Sequence, residues 1–142
     1  IPYRGAAAAV TGLLAGEVDF MFENLPSVIG QIQAGSVKAL AVTTRQRSKA
    51  LPSVPTLVES GLTDVEVSAW YGLAAPAGLP AAVQAGLEQA LQKVMRDAEL
   101  LRAMETRGAE AGFSGAAAMT AFMAADAAKW KRVADYAKIT LG

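Results

Sequence analysis

Leu14-Ala15-Gly16-Glu17-Val18-Asp19-Phe20-Met21-Phe22-Glu23-Asn24-Leu25-Pro26 carries the signals from which the architecture of this chain is read. Gly16 closes a run of small residues, Ala6–Ala15, whose composition favours helix. Val18–Phe22 is a short apolar run with the bulk of a buried strand. Glu23-Asn24-Leu25 turns the chain, and Pro26 stands where a first helical residue needs no N–H. The helix so started runs to Ala34, before Gly35. Upstream, Ile1–Tyr3 reads as the tail of a strand and Arg4-Gly5 as a turn; downstream, Lys38–Thr43 is the next strand. Strand–helix–strand–helix–strand with short connections calls for parallel pairing and right-handed crossovers.

The pattern then changes. Thr44–Pro55 is polar and holds Arg45, Arg47, Lys49, Pro52 and Pro55. Thr56-Leu57-Val58-Glu59 matches a capping box, which predicts a short helix over Thr56–Ser60 ending at Gly61. Val65–Ala74 reads as a long strand broken by Pro76-Ala77-Gly78. Pro80 starts a helix with an apolar stripe of Val83, Leu87, Leu91 and Val94. Asp97 caps a second helix carrying Leu100, Leu101 and Met104 and stopped by Gly108. Ala109–Phe113 reads as a short strand. Ser114 is placed to cap a last helix, with Met119, Phe122, Met123, Trp130 and Val133 on one side. The change of module falls near Gly61–Asp64, dividing the chain into 1–62 and 63–142.

Composition excludes several kinds of chemistry. The 142 residues contain no cysteine and no histidine, which removes disulfides, thiol nucleophiles, the usual zinc ligands and His-based catalysis. Thirteen basic residues balance thirteen acidic ones, and a dedicated nucleic-acid binder needs a basic excess. Apolar residues make up 53%, but 31 residues are alanine, so the core is built from small side chains. No apolar run approaches the roughly 18 residues of a membrane span, and no export signal is visible at this end.

No Walker loop, Gly-x-Ser-x-Gly elbow, Ser-x-x-Lys or EF-hand loop occurs. Asp19 lies inside the apolar strand, two residues from Glu17, without a base or metal partner, which fits Glu17 in the turn and Asp19 satisfied by a neighbouring turn better than acid–base work. Arg45, Arg47 and Lys49 have no interleaved aromatics and fit a solvated loop better than a phosphate site. Met119 and Met123 fit core filler. No cofactor is called for.

Two positions carry a binding hypothesis. Tyr3-Arg4-Gly5-Ala6 and Phe22-Glu23-Asn24-Leu25 both fall where a strand gives way to a helix. In a parallel sheet such turns share the carboxyl edge, where open α/β folds bind ligands. Each presents first-turn N–H groups at the positive end of a helix dipole, suited to a carboxylate or phosphate. Gly5 clears space for an anion and Asn24 offers donor and acceptor; equally, Gly5 makes a tight turn and Asn24 an Asx turn.

Residues 1–5 and 14–24, with Gly35-Ser36-Val37-Lys38-Ala39-Leu40-Ala41-Val42-Thr43-Thr44 and Leu51-Pro52-Ser53-Val54-Pro55-Thr56, resemble the Bug/TctC family. So do Val67-Ser68-Ala69-Trp70-Tyr71-Gly72-Leu73-Ala74-Ala75-Pro76-Ala77-Gly78 and Lys129-Trp130. These are periplasmic substrate-binding receptors of tripartite tricarboxylate transporters. The likeness runs in order through essentially the whole chain and covers about the second half of such a receptor.

That resemblance implies an α/β, class II periplasmic-binding-protein-like fold, here a fragment with part of each lobe. Residues 1–62 would be the C-terminal part of ligand-binding lobe 2, and 63–142 a hinge strand and helical return into lobe 1. It implies a periplasmic receptor rather than an enzyme, taking a di- or tricarboxylate, an acidic amino acid or an aromatic acid. The ligand-binding positions carried over are Tyr3, Arg4, Gly5, Ala6, Glu23 and Asn24, with membrane transporter subunits as partners. Glu23 stands where many relatives carry Asp, and would repel a carboxylate unless it faces a ligand amine or a backbone donor. Trp70 and Tyr71 are core or cleft wall. Asp19 and Glu23 are expected not to converge, against an enzyme working with carboxylates alone. A sensing module read by a sensor kinase is the other reading of the fold. Strand edges and helix faces without partners favour association, either pairing with a second copy or non-native docking of the two parts of the chain.

Overall fold

A computed structural model describes residues 2–139. Five helices follow in order: α1 Ala6–Leu14, α2 Leu25–Gln33, α3 Ala81–Val94, α4 Ala98–Thr106 and α5 Ala116–Ala137. The chain divides into two compact units. One holds the residues up to Ala75 together with Asp97–Ala111, the other Pro76–Arg96 together with the residues from Gly112 on. The sequence boundary at 62/63 lies inside the first unit.

In the first unit, α1 packs on α2. Val10 of α1, Val28 and Ile29 of α2, and Leu51 and Val54 form its buried apolar centre. α4 leads into it through Gly108, where an added Cβ would meet Leu25 Cγ at 2.6 Å and Ile29 Cδ1 at 3.3 Å. Gly108 also has φ +76°, so both space and backbone demand glycine there. Asp97 caps α4 as expected, its Oδ1 accepting from Leu100 N–H at 2.9 Å.

The expected strands do not pair. Among the described residues there is no ladder, and the isolated bridge is parallel, Val42 to Thr56. Val42 N–H donates to Pro55 O and Leu57 N–H to Val42 O, each at 2.9 Å. Val18–Phe22 and Ala109–Phe113 carry strand-forming residues but form no ladder, and Val65–Ala74 touches the Lys38–Thr43 segment at one point, where Val67 N–H donates to Thr43 O at 3.1 Å and Thr43 Oγ1 donates to Val67 O. A ladder needs a neighbour within about 4.8 Å, which local pattern does not supply. Phe20, Phe22, Tyr71 and Leu73 are accordingly more than two-thirds exposed. The strand tail at Ile1–Tyr3 begins outside the described residues.

The capping box forms in both directions. Thr56 N–H donates to Glu59 Oε2 at 2.7 Å and Glu59 N–H to Thr56 Oγ1 at 3.0 Å. It closes a single turn rather than a helix. Arg47 Nε reaches both Glu59 oxygens, at 2.9 and 3.1 Å, and its Nη1 donates to Pro52 O at 3.1 Å. Arg45 pairs with Glu66. Two of the three basic loop residues are thus tied to carboxylates.

In the second unit, Ser114 does not cap α5. The N-cap is Gly115, without a side-chain cap bond, and Glu88 of α3 accepts from Ala116 N–H at 3.3 Å. A carboxylate from another helix has replaced the local hydroxyl at the dipole's positive end. Neither α3 nor α5 buries a residue; Val83, Leu87, Val94, Phe122 and Trp130 are all at least 40% exposed.

The Arg47 bond first, and then the Thr56 amide, hold the Glu59 carboxyl below its ordinary value of 4.5. A carboxyl depressed by folding stabilises fully above about pH 4.5, and that contribution is lost as pH falls through the lower folded value. Thr56→Ala is expected to cost about 1 kcal/mol in urea unfolding at neutral pH. Glu59→Gln should flatten the acid side of the stability curve.

Candidate functional site

The turn Tyr3–Ala6 and the turn Phe22–Asn24 meet at one concavity of about 450 Å³. The first contributes Tyr3, Gly5 and Ala6, and α1 adds Ala9; the second contributes Met21, Phe22, Glu23 and Asn24, with Val18 and Phe20 from the segment before it. Five of the six positions singled out from sequence therefore line a common crevice. Arg4 is not among the lining residues, and neither is Asp19, so Asp19 and Glu23 do not converge there.

The two turns share a position but not a hydrogen-bonding state. Gly5 has φ 95° and ψ 173°, a region open essentially to glycine alone. A Cβ placed there meets nothing within 4 Å, so it is the backbone conformation and not crowding that demands glycine. α1 then begins without a side-chain cap and without an acidic residue in its first turn. Its first main-chain bond is Ala9 N–H to Gly5 O at 3.2 Å. The N–H groups of Ala6, Ala7 and Ala8 have no acceptor within the helix, and three alanines leave them sterically open.

At the second turn the amides are used. Asn24 N–H donates to Glu23 Oε1 at 2.7 Å, and Ser27 N–H to Asn24 O at 2.9 Å. Pro26 has no N–H. Asn24 is the N-cap of α2 but its side chain makes no cap bond, so the Asx-turn reading of Asn24 does not hold and its amide group stays at the crevice edge. Glu23 thus faces a backbone donor, one of the two arrangements that relieve its repulsion of an acid.

Tyr3 has a setting the sequence did not disclose. Its hydroxyl donates to Glu17 Oε2 at 3.0 Å. Its ring lies over buried Gly12 of α1, where an added Cβ would sit 2.6 Å from the hydroxyl oxygen and 2.8 Å from ring carbons. A glycine within an otherwise alanine-rich helix was the available signal, since such a residue weakens the helix unless something approaches closely. Trp70 and Tyr71 are exposed and do not line the crevice. Among the described residues no group of three or more acidic side chains is placed to hold a metal ion.

The sequence model of the tripartite tricarboxylate transporter family receptor, TctC, matches residues 1–139. BugT of Bordetella pertussis is 30% identical over 133 residues, which is 94% of this chain and 41% of BugT. Among solved structures, R. palustris Rpa4515 with adipate superposes with a TM-score of 0.90 at 30% identity, over 99% of this chain and 47% of that one. MatC from Rhodopseudomonas palustris with bound malate gives 0.68 at 31% identity, over 78% of this chain and 38% of that one. The chain spans less than half the length of each of these relatives.

Gly5→Ala is expected to destabilise the first unit by about 1–3 kcal/mol through backbone strain alone. Urea unfolding measures it, and a loss under 0.5 kcal/mol would show that the turn relaxes without glycine.

Proposed function

The chain belongs to the TctC family of tripartite tricarboxylate transporter receptors, and from that premise we propose that it supplies the acid-gripping turn of an extracytoplasmic solute receptor. The observation that carries this reading is the meeting of the two turns at one crevice, which Gly5 and Ala6 line where α1 begins and its first amides have no intrahelical acceptor. A carboxylate head accepts from those amides at the positive end of α1, and Asn24 donates from the opposite turn. No Lys or Arg lines the crevice, so backbone rather than cationic side chains holds the charge. Adipate in Rpa4515 and malate in MatC support a small carboxylate as the ligand class.

On this reading residues 1–62 belong to lobe 2 and 63–142 to the hinge strand and the return into lobe 1. Capture is reversible and involves no bond chemistry: the ligand stabilises the closed arrangement of the lobes in proportion to its greater affinity for it. The location is the periplasm, and the partners are the membrane subunits of the transporter. The unpaired strand segments are completed by polypeptide of the kind that relatives possess beyond the matched region; in its absence they pair with a second copy.

Thermal unfolding in the presence of adipate and of malate tests the ligand class. A ligand at a hundredfold over its Kd stabilises by about 2.7 kcal/mol, and the melting point should rise with concentration. Dimethyl adipate, which lacks the charge, should leave it unchanged. Equal shifts with acid and ester, or none with either acid, would remove the carboxylate grip. Sedimentation of the 142-residue chain should show association, and a compact monomer at high concentration would remove the second-copy pairing.

A further inference from the structure

We propose that Glu17 and Gly12 are positioning residues for the crevice: together they lock Tyr3 flat on α1, and the locked tyrosine holds the Arg4-Gly5 turn so that the first amides of α1 face the ligand. The inference rests on the acid-binding reading of the crevice and adds two residues that do not line it.

The argument starts from connectivity. Tyr3 is two residues before Gly5, and Gly5 has a conformation that a flexible turn would leave readily. A side chain anchored at both ends removes that freedom. Gly12 provides the seat, because any Cβ there would overlap the ring. Glu17 provides the tether, since its carboxylate accepts the Tyr3 proton from the far end of α1. A hydrogen bond to a charged acceptor is stronger than one between neutral groups. The same bond commits the Tyr3 hydroxyl to Glu17, so that Tyr3 offers the crevice its ring rather than a donor. Burial first, and then the bond and charge of Glu17, push the Tyr3 hydroxyl above its ordinary value of 10.

The test compares Glu17→Ala, Glu17→Gln, Tyr3→Phe and the Tyr3→Phe/Glu17→Ala double variant in the full 142-residue chain. Adipate and malate affinities, backbone amide spectra and Tyr3 Cζ titration by NMR are the readouts. Glu17→Ala and Tyr3→Phe should each weaken binding about three- to tenfold, and the double variant no further, because both remove one bond. Glu17→Gln keeps an acceptor and should restore affinity, while Tyr3 ionises at lower pH than in the parent chain. Gly12→Ala should unseat the ring, and Glu17→Ala serves where Gly12→Ala does not fold. The amide resonances of Gly5–Ala8 should move in Glu17→Ala and Tyr3→Phe but not in Glu17→Gln.

Unmoved Gly5–Ala8 resonances, or additive losses in the double variant, would overturn the lock whatever the ligand. If the parent chain binds neither acid, the receptor reading falls, and the amide spectra alone still decide whether the lock exists.

Discussion

The first three N–H groups of α1 need acceptors that the helix itself does not contain, and much of the first unit is arranged around that need. A side-chain cap would satisfy one of them, but Gly5 occupies the N-cap position and has no side chain to give. An acidic first turn would neutralise the dipole, but the turn is alanine. Both omissions leave positive potential where the chain enters the helix. At α2 the opposite choice is made, with Glu23 folded back on the Asn24 amide. Two turns of similar position thus differ in hydrogen bonding: one starts its helix without a side-chain cap, and the other carries its own carboxylate.

Keeping one helix end open requires the rest of the turn to be held by packing. The packing available is close-range because the side chains are small. Gly12 admits the Tyr3 ring and Gly108 admits Leu25, so in both places a missing Cβ creates the contact. Few large residues are buried; Val10, Val28, Ile29, Leu51 and Val54 are the apolar ones. A centre of that size contributes modest hydrophobic stabilisation, which makes local polar ties more important. The Arg47–Glu59–Thr56 cluster is such a tie, holding the loop after Val42 against the parallel bridge that Val42 makes.

What could be read from the sequence was whatever depends on neighbours along the chain. Helix ends at Gly16, Gly35 and Gly108 were legible because each takes a positive φ that favours glycine. The Thr56–Glu59 box and the Asp97 cap were legible because their partners lie three residues away. The Ser114 cap was misplaced because its competitor, Glu88, lies 28 residues upstream of Ala116. Strands were recognised as segments but not as ladders, since a ladder is a property of two segments and propensity describes one. In the crevice, strand–helix alternation brought the two turns to one concavity. It did not separate Gly5 from Arg4, because turn residues lack the fixed alternation of a strand. Nor did it reveal Glu17, whose role depends on a ring fourteen residues away.

Holding an acid by amides, as proposed, would have a consequence for selectivity. Main-chain donors recognise a carboxylate head and are indifferent to the body it is attached to, so discrimination falls to the walls. Here the walls are the Tyr3 ring, Phe20, Met21 and Phe22 on one side of the chemistry and the Glu23 carboxylate on the other. The Asn24 amide engages one Glu23 oxygen, so a second negative charge carried close to the other oxygen would still meet repulsion, whereas one carried farther off would meet little. On the proposed reading, spacing between the two acids of a dicarboxylate would be the quantity the crevice measures. On that reading the open helix end would fix where the first acid sits, and Glu23 would limit how near the second approaches.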